Sequence, residues 1–193
     1  MIAERIFEIL QSRTPATLSA GSFKPAAVLV PIQERADGDY LVLTQRAEML
    51  NSHRGQVAFP GGRVDPDDRG AVETALRESQ EEIGIDPRDV RVLGELDQVR
   101  AAANYLVTPV VGLIPFPYEF RLNASETAAV FSVPISALLD QNILTVDQRF
   151  GSEWGPIYHF HYQSWDIWGA TARIIKQLLE LTYGFETKKH LGP

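Results

Sequence analysis

The chain has no cysteine, which excludes a disulfide scaffold, a thiolate zinc site and a cysteine nucleophile. It also has no excess of basic residues. Eighteen Lys and Arg against 25 Asp and Glu leave a net charge of −7, whereas sequence-independent nucleic-acid binding needs a broad basic surface. No apolar run approaches the roughly 18 residues that cross a bilayer; the best, Ala26 to Ile32, has the length of a strand. The opening Met1-Ile-Ala-Glu-Arg-Ile-Phe carries charges where an export signal needs an uninterrupted apolar stretch. These absences predict a cytoplasmic protein that engages neither nucleic acid nor membrane. An acidic chain can still act on a phosphate ester if a divalent cation mediates.

What is present is ordinary for a globular protein: 193 residues, 45% of them hydrophobic and 22% charged. That length predicts a single domain over residues 1–193. Ile6, Ile9 and Leu10 recur at helical spacing before Pro15, so a short leading helix is expected. Ala26 to Ile32 and Tyr40 to Thr44 read as strands, with Asp37-Gly38 supplying a hairpin turn between them. Gly61 to Gly70, rich in Gly, Asp and Pro, reads as a loop. A helix follows from Ala71 to Ile83, with Val72, Ala75, Leu76 and Ile83 on its core face and Gly84 as its stop. Further strands are expected at Val90–Leu96, Leu106–Ile114, Ala128–Val133 and Ile157–Tyr162, then a closing helix from Trp168 to Tyr183 that buries Ala172, Ile175, Leu178 and Leu179. This irregular order favours a mixed sheet covered by helices over a doubly wound fold.

The chemistry is concentrated in Arg77-Glu78-Ser-Gln-Glu81-Glu82-Ile-Gly84-Ile85. On a helix, Glu78 neighbours both Glu81 and Glu82, so three like charges share one turn and weaken it. A hard divalent cation such as Mg²⁺ or Mn²⁺ among them explains the arrangement, since such ions take oxygen ligands and bridge carboxylates to phosphates. A solvated acidic helix face is the plain alternative. Arg77 is placed to pair with Glu81 and orient a ligand. Upstream, Phe59-Pro60-Gly61-Gly62 ends a strand, and its two glycines allow close approach of backbone to a phosphate or metal.

Together these segments resemble the signature of the Nudix hydrolases, metal-dependent enzymes that cleave a nucleoside diphosphate linked to another group. Val42-Leu43-Thr44-Gln-Arg46-Ala47, Gly55 and Phe59-Pro60-Gly61-Gly62 are similar to the extra motif of the coenzyme A pyrophosphatase branch. Asp65, Asp68, Thr74-Ala75-Leu76-Arg77-Glu78 and Ile167-Trp168-Gly169-Ala170-Thr171-Ala172 follow that branch too, so the likeness spans about residues 24–180. Two departures stand out. Strict Nudix spacing counted back from Arg77 puts the first glycine on Arg63 and the isolated glutamate on Arg69, so the loop is one residue longer, with Asp65 or Asp68 as a substitute. Asn51 stands where the coenzyme A motif has an arginine, with Arg54 three residues later.

The resemblance implies an α/β/α sandwich with a mixed sheet and a Mg²⁺ or Mn²⁺ cofactor held by Glu78 and Glu82. Glu81 is then a further ligand or a water-activating base. Glu78, Glu81 and a carboxylate from another loop, with Glu126 as the candidate, all remain open as the proton acceptor, and Arg77 joins them as a catalytic candidate. Arg46, Arg54, Gly61 and Gly62 are the expected substrate contacts. The implied substrate is coenzyme A or a derivative, split into adenosine 3′,5′-bisphosphate and 4′-phosphopantetheine. The alternatives are ADP-ribose, NADH or another nucleoside diphosphate derivative, and a module that binds a nucleotide without turnover. His159 and His161 lack a third zinc ligand nearby. His53 reads as a structural or solvated loop residue. Trp165, Trp168 and Tyr162 are candidates for stacking on adenine or for the core. Ser125 and Ser132 lack the partners of a serine hydrolase.

Overall fold

The computed structural model describes residues 2–47, 55–152 and 155–187. Asn51, His53 and Arg54 lie outside the described residues. Helix α1 (Ile2–Gln11) leads into strands β1 (Lys24–Arg35) and β2 (Gly38–Arg46), joined by the expected Asp37-Gly38 turn. Two short strands, β3 (Val57–Ala58) and β4 (Gly61–Arg63), precede helix α2 (Ala71–Ile83). Then come β5 (Arg91–Glu95), β6 (Val99–Ala101), β7 (Tyr105–Leu113), β8 (Thr127–Pro134) and the one-turn helix α3 (Ile135–Leu138). A second sheet of β9 (Leu144–Ser152), β10 (Gly155–Tyr162) and β11 (Trp165–Trp168) runs into helix α4 (Gly169–Tyr183).

The larger sheet is mixed, as expected. Its path is β3-β2-β1-β7-β5, with β4 paired to β1, β6 to β7 and β8 to β2. The β1–β7 pair is parallel and its neighbours are antiparallel. Strand alternation divides the core in two. From β1 and β2, Ala27, Leu29 and Val42 face α2 and pack with Ala75, Ile83, Ile85 and Val110. Their sequence neighbours Val30, Ile32, Leu41 and Leu43 face the opposite side and meet Ile6 and Leu10 of α1 and Ile175 and Leu178 of α4. Helices therefore cover both faces of the sheet.

One expectation needs correcting. Gly61–Arg63 is not loop but strand, with Ala27 opposite Gly62 and Val28 opposite Gly61. Close packing makes that pairing possible only without side chains. A Cβ on Gly61 would overlap the Ala27 carbonyl, and its φ of +154° lies where other residues are strained. Both long helices end as expected, on Gly84 and Gly184 in the left-handed conformation.

Candidate active site

Helix α2 is fixed by the loop before it. The Asp68 carboxylate accepts from Asp65 N at 2.9 Å and from Thr74 Oγ1 at 2.8 Å, closing that loop onto the first turn of α2. Arg77 then donates to both Asp68 oxygens, Nε at 3.1 Å and Nη2 at 3.0 Å, and from Nη2 to the Arg63 carbonyl at 3.1 Å. These bonds hold the Asp68 carboxyl well below its ordinary range and the guanidinium above its own. Asp68, rather than Asp65, is the carboxylate that anchors Arg77; Asp65 lies 3.7 Å away and is exposed. With its remaining nitrogen, Arg77 donates to Glu78 Oε1 at 2.9 Å and reaches Glu81 at 3.4 Å.

Glu78 and Glu82, one turn apart, point from α2 toward β4. The Glu82 side chain is only 6% exposed, accepts from Gly61 N at 3.2 Å, and has the Arg46 guanidinium at 3.7 Å from its other oxygen. Burial pushes its carboxyl up to about 7, against the opposing pull of the Gly61 amide and Arg46. Glu78 is also pushed upward, again chiefly by burial. A Cβ on Gly62 would overlap the Glu78 carboxylate. The paired glycines thus admit the carboxylates and the neighbouring strand, and Gly61 spends its amide on Glu82.

The 120s loop completes this group because it is hydrogen-bonded to the end of α2. Arg121 N donates to Ile83 O and Asn123 N to Glu82 O, both at 2.9 Å. Asn123 Nδ2 donates to Glu126 Oε1 at 3.2 Å. The Glu126 charge acts on both Glu78 and Glu82, disfavouring their ionisation.

Glu78, Glu82 and Glu126 line one cleft of about 750 Å³, together with Arg46, Gly61 and Gly62. Glu81 and Arg77 do not line it. Glu81 is exposed, with its carboxylate on Arg77, so the convergence of three glutamates expected from α2 alone is met by two of them and one from the 120s loop. Among the described residues no three His, Asp or Glu side chains already form a metal cage. The donors nonetheless suit a hard divalent ion, which keeps several waters and needs only one or two carboxylates beside substrate phosphates. A buried carboxylate such as Glu82, raised by burial and facing two others, is the group a dication would stabilise in its charged form.

Other expectations divide similarly. Trp168 lines the cleft and is 40% exposed, whereas Trp165 stacks on Phe131 at 4.2 Å and Tyr162 packs against the core. His159 and His161 both face Asp166, at 3.0 and 3.6 Å. Two cleft residues carried no signal in the sequence: Arg100 of β6 and Arg173 of α4. Neither sits in a motif, and only the tertiary fold brings their elements to the same cleft.

A sheet clothed on both faces, with an acidic helix aimed at a glycine-rich strand, defines a Nudix hydrolase, and the NUDIX domain pattern matches residues 23–150. The chain belongs to this family, whose members hydrolyse diphosphate-containing substrates and generally use divalent metal ions. It is 42% identical over 172 residues to a protein of Yersinia enterocolitica described as an uncharacterized Nudix hydrolase, NudL, covering 89% of this chain and 87% of that one. A NudL of Photorhabdus laumondii is 41% identical over 174 residues, with 89% and 91% covered. Among solved structures, a NUDIX hydrolase from Alicyclobacillus acidocaldarius shares the fold at 20% identity and a TM-score of 0.50, over 83% of this chain and 91% of that one. An Ap4A hydrolase from C. elegans does so at 21% identity and 0.50, over 57% and 80%. No helix among the described residues is long and apolar enough to cross a membrane.

Proposed function

We propose that the chain hydrolyses the diphosphate linkage of coenzyme A or a derivative, releasing adenosine 3′,5′-bisphosphate and 4′-phosphopantetheine, with Mg²⁺ or Mn²⁺. The observation that carries the reading is the make-up of the cleft. Its lining brings the carboxylates of Glu78, Glu82 and Glu126 together with the guanidiniums of Arg46, Arg100 and Arg173 and with Ala101–Ala103, Ile157 and Trp168. With a diphosphate held beside the carboxylates, a cleft of about 750 Å³ has room for a nucleotide and a slender arm. The motif around Phe59-Pro60-Gly61-Gly62 supports the same substrate.

In this reading Glu78 and Glu82 hold the cation. When bound, it lowers the pKa of the attacking water and offsets charge on the phosphate oxygens. Glu126 accepts the water's proton, for it shares the cleft while Glu81 does not, and Asn123 holds one of its oxygens. Arg77 is a positioning residue: tied to Asp68, it holds Glu78 in place from behind. Arg46 lies against Glu82, where it balances the carboxylate and contacts a phosphate bound beside it.

Asn51, in place of the motif's arginine, favours a second reading in which ADP-ribose or NADH is the substrate. Incubation with Mg²⁺ or Mn²⁺ and a panel of coenzyme A, acetyl-coenzyme A, ADP-ribose, NADH and nucleoside triphosphates, with products identified by mass, separates the two. The expected outcome is the highest kcat/KM on coenzyme A or its thioester. A preference for ADP-ribose or NADH would assign the second.

A further inference from the structure

We propose that Arg100 and Arg173 form a second anion subsite that receives a phosphate carried on the substrate's ribose, apart from the diphosphate that is cut. This rests on the nucleotide reading above. The two arginines come from β6 and α4, and both line the catalytic cleft as well as an adjoining cleft of about 510 Å³, so they stand at the junction of the two.

Arg100 Nε is buried without a hydrogen-bond acceptor, and its guanidinium lies over the Phe23 ring at 5.4 Å. Arg173 makes one long hydrogen bond, Nη2 to the Pro156 carbonyl at 3.5 Å, and burial pulls its pKa down. Among the described residues neither forms an ion pair with a carboxylate. The acids of the adjoining cleft are already engaged, Asp97 with Arg13 and Glu180 with Lys176. A partly buried cation with no counter-charge is a cost to the fold. Two such guanidiniums lining the same nucleotide-sized cleft are the complement of a dianion, since the planar fork matches phosphate oxygens in bidentate fashion. The diphosphate belongs with the cation at Glu78 and Glu82, so this second charge is a different group. A ribose phosphate is the anion that nucleotides of this class carry there.

Calorimetric binding of adenosine 3′,5′-bisphosphate and of adenosine 5′-monophosphate, in the presence of Mg²⁺, tests the subsite without turnover. The wild-type chain should bind the bisphosphate about 10- to 100-fold more tightly, the range of a charged hydrogen bond. Arg100→Gln and Arg173→Gln should each lose most of that preference while binding the monophosphate nearly as before. Arg173→Lys, which keeps a charge, should recover part of it. Equal wild-type affinity for the two ligands, or equal losses for both in the variants, would overturn the proposal. Failure of the coenzyme A reading would be seen separately, as wild-type turnover that favours ADP-ribose whatever the binding preference.

Discussion

At the scale of single residues, Glu82 carries the most consequence because it is a carboxylate in a nearly dry place. Its folded pKa of about 7 stands above the 4.5 of an ordinary glutamate. Below pH 4.5 both folded and unfolded states hold the proton and Glu82 exacts no penalty. Between 4.5 and 7 the unfolded chain releases its proton first, so metal-free stability falls as pH rises through this window. The full difference is about 3 kcal/mol at one pKa unit per 1.36 kcal/mol, and Glu78, shifted the same way, adds to it. Glu82→Gln should therefore raise the melting temperature in EDTA at pH 8, leave it nearly unchanged at pH 4.5, and lower turnover by orders of magnitude in Mg²⁺. Wild-type-like turnover at limiting Mg²⁺ would remove Glu82 from the ligand set. Glu126 separates from it kinetically. Glu126→Gln keeps an oxygen for Asn123 to donate to, so a fall in kcat of about 10²–10⁴-fold, with the Mn²⁺ dissociation constant unchanged, is the expected mark of a proton acceptor. A matching loss of Mn²⁺ affinity would make Glu126 a ligand instead.

At the scale of elements, the proposed active centre rests on α2 held against β4, with Asp68 and Arg77 as the strut. Asp68→Asn retains the size of the side chain but weakens both bonds from Arg77, so Glu78 loses its backing. A displacement of about 1 Å at a reacting group costs on the order of 10²-fold, and kcat/KM should fall by that much while Mg²⁺ still binds. An unaltered kcat/KM would leave Arg77 without a positioning role. Helix α2 was legible in the sequence because its apolar period, its glutamates at i and i+4 and its Gly84 stop all agree. Gly61–Arg63 was not, because composition reads glycines as turn while the pairing with Ala26–Val28 comes from a strand far earlier in the chain. The same reason hid Arg100 and Arg173, and it explains why Glu126 could be named only as one of several: α2 displays its own periodicity, but nothing local tells that the 120s loop hydrogen-bonds to its last turn. Conversely, Glu81 reads as a further ligand or base on the same turn as Glu82, and only the sheet lying on one side of α2 distinguishes the buried carboxylate from the exposed one.

At the scale of the whole molecule, the cleft joins parts that are distant in sequence: β2 through Arg46, β4 through its glycines, α2, the 120s loop, β6 and the start of α4. A cation bound by Glu78 and Glu82 would therefore tie α2 to the cleft that these elements share, and its binding energy would add to the stability of the fold. At a metal concentration about 100 times the dissociation constant, mass action contributes about 2.7 kcal/mol. A chain of this size gains about 2–4 °C per kcal/mol, so Mn²⁺ or Mg²⁺ should raise the melting temperature by roughly 5–11 °C. The gain should shrink as pH falls below about 7, because the ion must displace the Glu82 proton. Glu82→Gln should abolish it, and Arg173→Gln, on α4, should keep it in full. Scanning calorimetry of the three proteins with and without metal reads these differences directly. A metal-induced shift that survives in Glu82→Gln would place the ion elsewhere on the molecule. A shift lost equally in Arg173→Gln would mean that the carboxylates and Arg173 belong to one coupled site.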